Sequence, residues 1–117
     1  MGSDSVCSGV LWLAVLYPMT EREVQKSVVG VLGSLGWETT VFSIPRRAYG
    51  QLRGVPDLYC THAGHRQQLW IEVKAPGKKT RPDQERWLAR TQASGALCLV
   101  IDSVDSLMNN LQKRGLV

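Results

Sequence analysis

Along residues 20–36 apolar side chains recur at Val24, Val28, Val31, Leu32 and Leu35, the three- and four-residue spacing of one helical face. Thr20 with Glu23 three positions later forms a capping-box pattern, and Gly36 stands where a C′ glycine ends a helix. The period then changes. Thr39-Thr40-Val41-Phe42-Ser43-Ile44 is β-branched and alternates, predicting a strand that Pro45 stops. Two further strands are predicted at Val55–Thr61 and Gln68–Lys74, the second broken by Ala75-Pro76-Gly77. Thr80 suits the N-cap of a helix to about Ala93, with Pro82 in its first turn, Trp87, Leu88 and Thr91 on one side, and Gly95 closing it. Leu97–Ile101 is apolar throughout, as expected of a strand covered on both faces. Ser103 caps a last helix, with Val104, Leu107, Met108 and Leu111 in phase. The order αβββαβα predicts an α/β fold.

Residues 1–18 differ from the rest. Their only charge is Asp4, and they stop at Pro18. They read as an N-terminal extension of unknown role before a domain spanning 19–117; an extra strand, an apolar arm for a partner and a poorly ordered segment all fit. The longest apolar run, Val10–Tyr17, has 8 residues, whereas a membrane span needs ~20. No basic stretch precedes it, as a secretory signal would require. Cys7, Cys60 and Cys98 are odd in number and unpaired in spacing, which points to free thiols in a reducing compartment. The expected location is the cytoplasm, with no membrane partner.

Charge is unevenly spread. The chain carries 14 Lys and Arg against 10 Asp and Glu. Between Pro45 and Arg90 stand 10 basic and 4 acidic residues, so the middle is strongly basic and the remainder slightly acidic. That pattern fits a polyanion, nucleic acid first, and equally a solvated basic face that binds nothing.

The central strands carry the candidate chemistry. With Gly64-His65 as a two-residue turn, residues pair across the hairpin when their numbers sum to 129. Asp57 then faces Glu72, and the two-residue side-chain period puts Asp57, Glu72 and Lys74 on one face, with Leu58, Cys60, Leu69, Ile71 and Val73 on the other. Two carboxylates opposite each other repel unless something neutralises them, and Mg²⁺ takes one or two protein carboxylates plus waters and phosphate oxygens. Lys74 could hold a phosphate or orient an attacking water. A solvent-facing hairpin with three ordinary charges fits the same spacing.

Glu21 lies three and seven residues before Val24 and Val28, at the end of the apolar stripe, where a carboxylate must pay desolvation or meet a cation. Glu23 lies on the polar side, and the capping box accounts for it. Of the two, Glu21 is the metal-site candidate, although a first-turn acid complementing the helix dipole also fits its position.

Arg53-Gly54-Val55-Pro56-Asp57-Leu58, Leu69-Trp70-Ile71-Glu72-Val73-Lys74-Ala75-Pro76-Gly77-Lys78 and Gln84-Glu85-Arg86-Trp87-Leu88 together resemble a VRR-NUC domain, the virus-type replication-repair nuclease branch of the PD-(D/E)xK nucleases. The resemblance covers about Thr20 to Leu111, and Glu21-Arg22-Glu23-Val24 resembles the first-helix motif of related Holliday-junction resolvases. It implies a restriction-endonuclease-like αβββαβα core around a central mixed sheet. It also implies a Mg²⁺-dependent DNA endonuclease, with Mn²⁺ as a possible substitute. Asp57, Glu72 and the Val73 carbonyl would ligate the metal, with Glu21 doing so directly or through water. Lys74 would position the hydrolytic water, and Gln84 would sit beside the nucleophile or scissile phosphate. The implied substrate is branched duplex DNA, the implied assembly a homodimer, and the small standalone form resembles phage members. The alternatives are a non-catalytic DNA-binding module, a flap- or nick-directed nuclease, and a sequence-reading nuclease.

Arg46, Arg47, Arg53, Lys78, Lys79 and Arg81 flank the presumed site on two loops and are candidate phosphate contacts. Tyr49 could stack on a base or pack in a turn. Cys60, His62 and His65 form a weak zinc pattern that lacks a fourth ligand nearby. Trp70 and Trp87 read as packing residues.

Overall fold

The computed structural model describes residues 18–42 and 54–117. The elements are α1 (Glu21–Ser34), β1 (Trp37–Val41), β2 (Leu58–His62), β3 (His65–Val73), α2 (Pro82–Ala93), β4 (Leu97–Ile101) and α3 (Val104–Lys113). The strands form one mixed sheet in the order β1-β2-β3-β4; β1, β2 and β3 are antiparallel neighbours and β4 lies parallel to β3. This is the restriction-endonuclease-like α/β core expected from the sequence. Residues 1–17, and the basic loop with Arg46, Arg47, Tyr49 and Arg53, lie outside the described residues.

The capping box of α1 is present in full. Glu23 N donates to Thr20 Oγ1 at 3.2 Å, and Thr20 N donates to Glu23 Oε1 at 3.1 Å. Val24, Val28 and Leu32 are buried on the stripe, and Gly36 takes φ 90 behind the helix. One face of the sheet, with Leu58, Cys60, Leu69, Ile71, Val73, Leu99 and Ile101, joins them and Leu107 and Leu111 of α3 in the core. The other face carries Tyr59, Trp70 and Glu72 and receives α2, whose Trp87 ring meets Trp70 at 5.0 Å.

Four sequence expectations need correction. The first strand begins at Trp37, two residues early, because the Trp37 side chain is itself core. The hairpin turn is Ala63-Gly64, not Gly64-His65, yet Tyr59 still pairs with Trp70 and Leu58 with Ile71. A bulge between Cys60 and His62 absorbs the offset, since an extra residue shifts the register on one side of it only. Arg81, not Thr80, is the N-cap of α2: Pro82 occupies the first helical position, where a missing N–H costs nothing, while Thr80 Oγ1 donates to Glu85 Oε1. Finally, β4 is not covered on both faces: Val100 is 46% exposed, and among the described residues β4 is the last strand of the sheet.

Candidate active site

The open end of the β2–β3 hairpin gathers the chemistry-bearing residues. The chain leaves the β2 ladder at Pro56-Asp57, and the Asp57 side chain turns back to β3, where Oδ2 accepts the Val73 N–H at 2.9 Å. That bond fixes the Asp57 carboxylate beside Glu72. In an antiparallel pair a residue's N–H and C=O face the same neighbour, so the Val73 carbonyl lies on the Asp57 side of β3.

Glu72 is 2% exposed. Its Oε2 accepts from Gln84 Nε2 at 2.7 Å and lies 3.7 Å from Lys74 Nζ. Its Oε1 is buried and has no hydrogen-bond partner. Burial pushes the Glu72 carboxyl up to about 8; the Asp57 charge adds to the rise, the Lys74 charge opposes it, and the charge of Glu21 raises it further. Asp57 and Glu72 are therefore neighbours, but Asp57 lies outside the β2–β3 ladder rather than in the cross-strand pair expected from the pairing arithmetic, and without a cation a proton on Glu72 relieves the two charges.

Gln84 is held at both ends. Its Oε1 accepts the Arg81 N–H at 2.9 Å, capping α2, which leaves Nε2 aimed at Glu72. One hydrogen of Nε2 and one lone pair of Oε1 are thus used within the protein, tying Gln84 to Glu72 and to the helix end. Lys74 is buried, at 7% exposure, with Glu72 as its ion-pair partner.

Glu21 is exposed at the first turn of α1, so the desolvation expected of it does not occur. Its helical phase is nevertheless the one anticipated: its charge reaches Glu72, while Glu23 is spent on the cap. Lys78 and Lys79 are exposed on the loop after β3, and Arg81 pairs with Asp83 at 3.3 Å.

Gly54 was not singled out by its spacing. It takes φ 85, and a β-carbon there would overlap the backbone carbonyl of Asp83 in the first turn of α2. The strand bearing Asp57 therefore enters against the helix bearing Gln84. A positive φ can be anticipated for a glycine ahead of Val-Pro; its contact across 29 positions cannot.

Among the described residues, no three His, Cys, Asp or Glu side chains converge as a ready-made metal cage. Cys60 lies in the core against Thr39, at 3.6 Å. Both ring nitrogens of His62 are bonded, to Leu35 O at 2.9 Å and to Gly64 N at 2.8 Å. The zinc pattern is therefore not a site. The carboxylate pair does fit a hard cation that keeps most of its waters: two acids side by side, one oxygen buried and unpartnered, and a backbone carbonyl alongside.

Residues 36–105 match the model of the VRR-NUC domain. The chain is also 36% identical, over 86 residues, to "Putative nuclease p44" of Acyrthosiphon pisum secondary endosymbiont phage 1, an alignment covering 73% of this chain and 85% of that protein. The matched domain begins after α1, so the place of Glu21 rests on its geometry, whereas Asp57, Glu72, Val73, Lys74 and Gln84 all fall inside. With more than half of its length in that match and the open end of its hairpin built from those five residues, the chain belongs to the VRR-NUC domain family.

Proposed function

We propose that the protein is a metal-dependent DNA endonuclease that hydrolyses phosphodiester bonds in structured DNA, in the manner of a Holliday-junction resolvase. The observation that carries this reading is the unpartnered, buried Oε1 of Glu72 beside the Asp57 carboxylate. A buried carboxylate oxygen with no donor is costly unless a cation or a proton meets it. Asp57, Glu72 and the Val73 carbonyl would hold Mg²⁺, or Mn²⁺ in its place, with Glu21 reaching it directly or through water. When bound, the cation supplies charge neutralisation at the phosphate and a more acidic water.

The chain's own groups supply the rest. Val73 N–H holds Asp57 in place, and Gln84 holds Glu72, so both acids are set before substrate arrives. The Lys74 ammonium, next to Glu72 and shielded from solvent, would orient the attacking water and meet charge developing on the phosphate. Lys78, Lys79 and Arg81, with Arg46, Arg47 and Arg53, would contact phosphates without reading bases. A homodimer would present two such sites to the two strands of a branched duplex, as symmetric cleavage requires.

The test is a panel of four-way junction, flap, nicked and linear duplex DNA incubated with Mg²⁺, Mn²⁺ or EDTA, for wild type and Asp57→Ala. Cleavage of the junction that needs metal and disappears in the variant supports the reading. DNA binding without cleavage under any metal would make the protein a binding module instead.

A further inference from the structure

Helix α2 has two working faces. Gln84 and Trp87 point inward, to Glu72 and Trp70. On the opposite side Pro82, Asp83, Arg86, Ala89 and Arg90 line an open groove. These positions follow helical spacing, so Arg86 and Arg90 stand one above the other, one turn apart. Both are exposed, and neither forms an ion pair with an acid among the described residues. The one acid in the groove, Asp83, is engaged by Arg81 at 3.3 Å.

This arrangement is unfavourable in the free protein. Like charges at i and i+4 on a helix repel, and among the described residues no acid is ion-paired to either arginine. Ala89 between them carries no bulk, so a ligand backbone can approach the helix surface. Two guanidinium groups one helical turn apart on the same face suit successive phosphates of one strand, each taken by a planar fork of donors.

The groove is also placed and oriented with respect to the carboxylates. The first turn of α2 carries Gln84, which touches Glu72; Arg86 and Arg90 follow two and six residues later. At 1.5 Å per residue they lie about 3 Å and 9 Å farther along the axis than Gln84. Lys78, Lys79 and Arg81 precede the same helix. Along the axis, the cations therefore run from the end of α2 that carries Gln84 toward its far end.

We infer that the outer face of α2, through Arg86 and Arg90, is a phosphate-binding rail for the duplex arm flanking the scissile bond. The inference rests on the nuclease reading above and deepens it: it specifies which surface carries the substrate away from the carboxylates. The rail holds backbone, not bases, so it contributes affinity without sequence preference.

The probe is a fluorescent four-way junction, with a linear duplex of the same arm sequence, titrated across a salt series with Ca²⁺ in place of Mg²⁺. Each phosphate contact contributes about 0.9 to the slope of log affinity against log salt. Arg86→Ala with Arg90→Ala should lower that slope by nearly 2 per subunit on both probes, and Arg86→Lys with Arg90→Lys should restore most of it. Arg66→Ala with Lys113→Ala removes two exposed cations at the far, hairpin-turn end and should leave the slope unchanged. Thermal melts of the double alanine variant should match or exceed wild type, because the repulsion is gone. A wild-type slope in that variant overturns the rail while leaving the nuclease reading intact. An equal drop from the far-end pair overturns it too, by showing a diffuse field. A wild type that cuts nothing and binds neither probe sinks both the rail and the nuclease reading.

Discussion

The Gln84 amide nitrogen meets the Glu72 carboxylate at 2.7 Å inside the protein, and the same carboxamide closes the end of α2 on Arg81. One side chain thus ties the capping of a helix to the orientation of a buried acid. Gln84→Ala should leave the Arg81 N–H without its acceptor and Glu72 without its donor, at a cost of ~1–3 kcal/mol. Urea melts would register the loss, and Mn²⁺ titration should show weaker binding because Glu72 is no longer held. A variant with wild-type stability and metal affinity would show that the amide is a bystander.

Glu72 also makes metal-free stability depend on pH. Folded, it keeps its proton to about 8; its ordinary value is 4.5. Between these the folded state binds more protons than the unfolded chain, so stability falls as pH rises. The contribution is complete below about 4.5 and lost above about 8. Denaturant melts in EDTA across this window should show the decline, and Glu72→Gln should flatten it. Added Mg²⁺ should reverse the trend, since ligation favours the ionised acid and releases its proton. A flat wild-type profile would place Glu72 in water, not in the protein.

Lys74 separates ligation from turnover. It is a cation and cannot ligate a metal, yet it sits 3.7 Å from Glu72 Oε2. Lys74→Met, which keeps the buried stem, should bind Mn²⁺ by calorimetry but cleave ~10²–10³-fold more slowly, the scale for losing one preorganised electrostatic group. Loss of Mn²⁺ binding would assign Lys74 to the architecture of the acid pair.

Glu21 and Glu23 give a clean comparison within one helical turn. Glu21 acts on Glu72 through its charge, while Glu23 completes the capping box. Glu21→Gln should depress cleavage and leave thermal stability nearly unchanged. Glu23→Gln keeps a capping side chain and should cut like wild type. Loss at Glu23 alone would mean that the acid serving the site is the other one.

Gly54 and Gly77 both have positive φ, at 85 and 78, but differ in surroundings. A β-carbon at Gly54 would strike the Asp83 backbone; at Gly77 nothing lies within 4 Å. Gly77→Ala should cost only the backbone strain, ~1 kcal/mol. Gly54→Ala should cost more and also lower activity, by pushing α2 and Gln84 away from Glu72. Equal melting shifts with equal activity would dissolve this distinction.

That Asp57 lies near Glu72 is legible in the sequence from side-chain alternation and a two-residue turn; that Asp57 leaves the ladder and meets β3 at the Val73 N–H is not. The register survived an error in the turn, since the bulge near Thr61 compensated it. The phase of α1 separated Glu21 from Glu23 for a similar reason: helical spacing is local. What could not be read is depth. Nothing in Glu-Val-Lys says that Glu72 and Lys74 are buried, because burial is set by α2, which arrives from another part of the chain. The exposure of Val100 is hidden likewise: an apolar run looks the same whether one face of its strand is covered or both. The basic loop of Arg46, Arg47 and Arg53 lies outside the described residues.

The bulge between Cys60 and His62 also separates the hairpin into two mechanically different halves. On the site side, ladder pairs from Leu58 to Cys60 and the Asp57–Val73 bond hold strand alignment. On the far side the two strands share one ladder pair, His62 with His65, before the chain reverses, and His62 is held from its ring by Leu35 and Gly64. A residue added to or removed from Ala63-Gly64 has a yielding point to spend itself on before it meets the carboxylates. The far tip of this hairpin is therefore where the domain can accept a graft, a tag or a lineage-specific insertion while its chemistry stays in register.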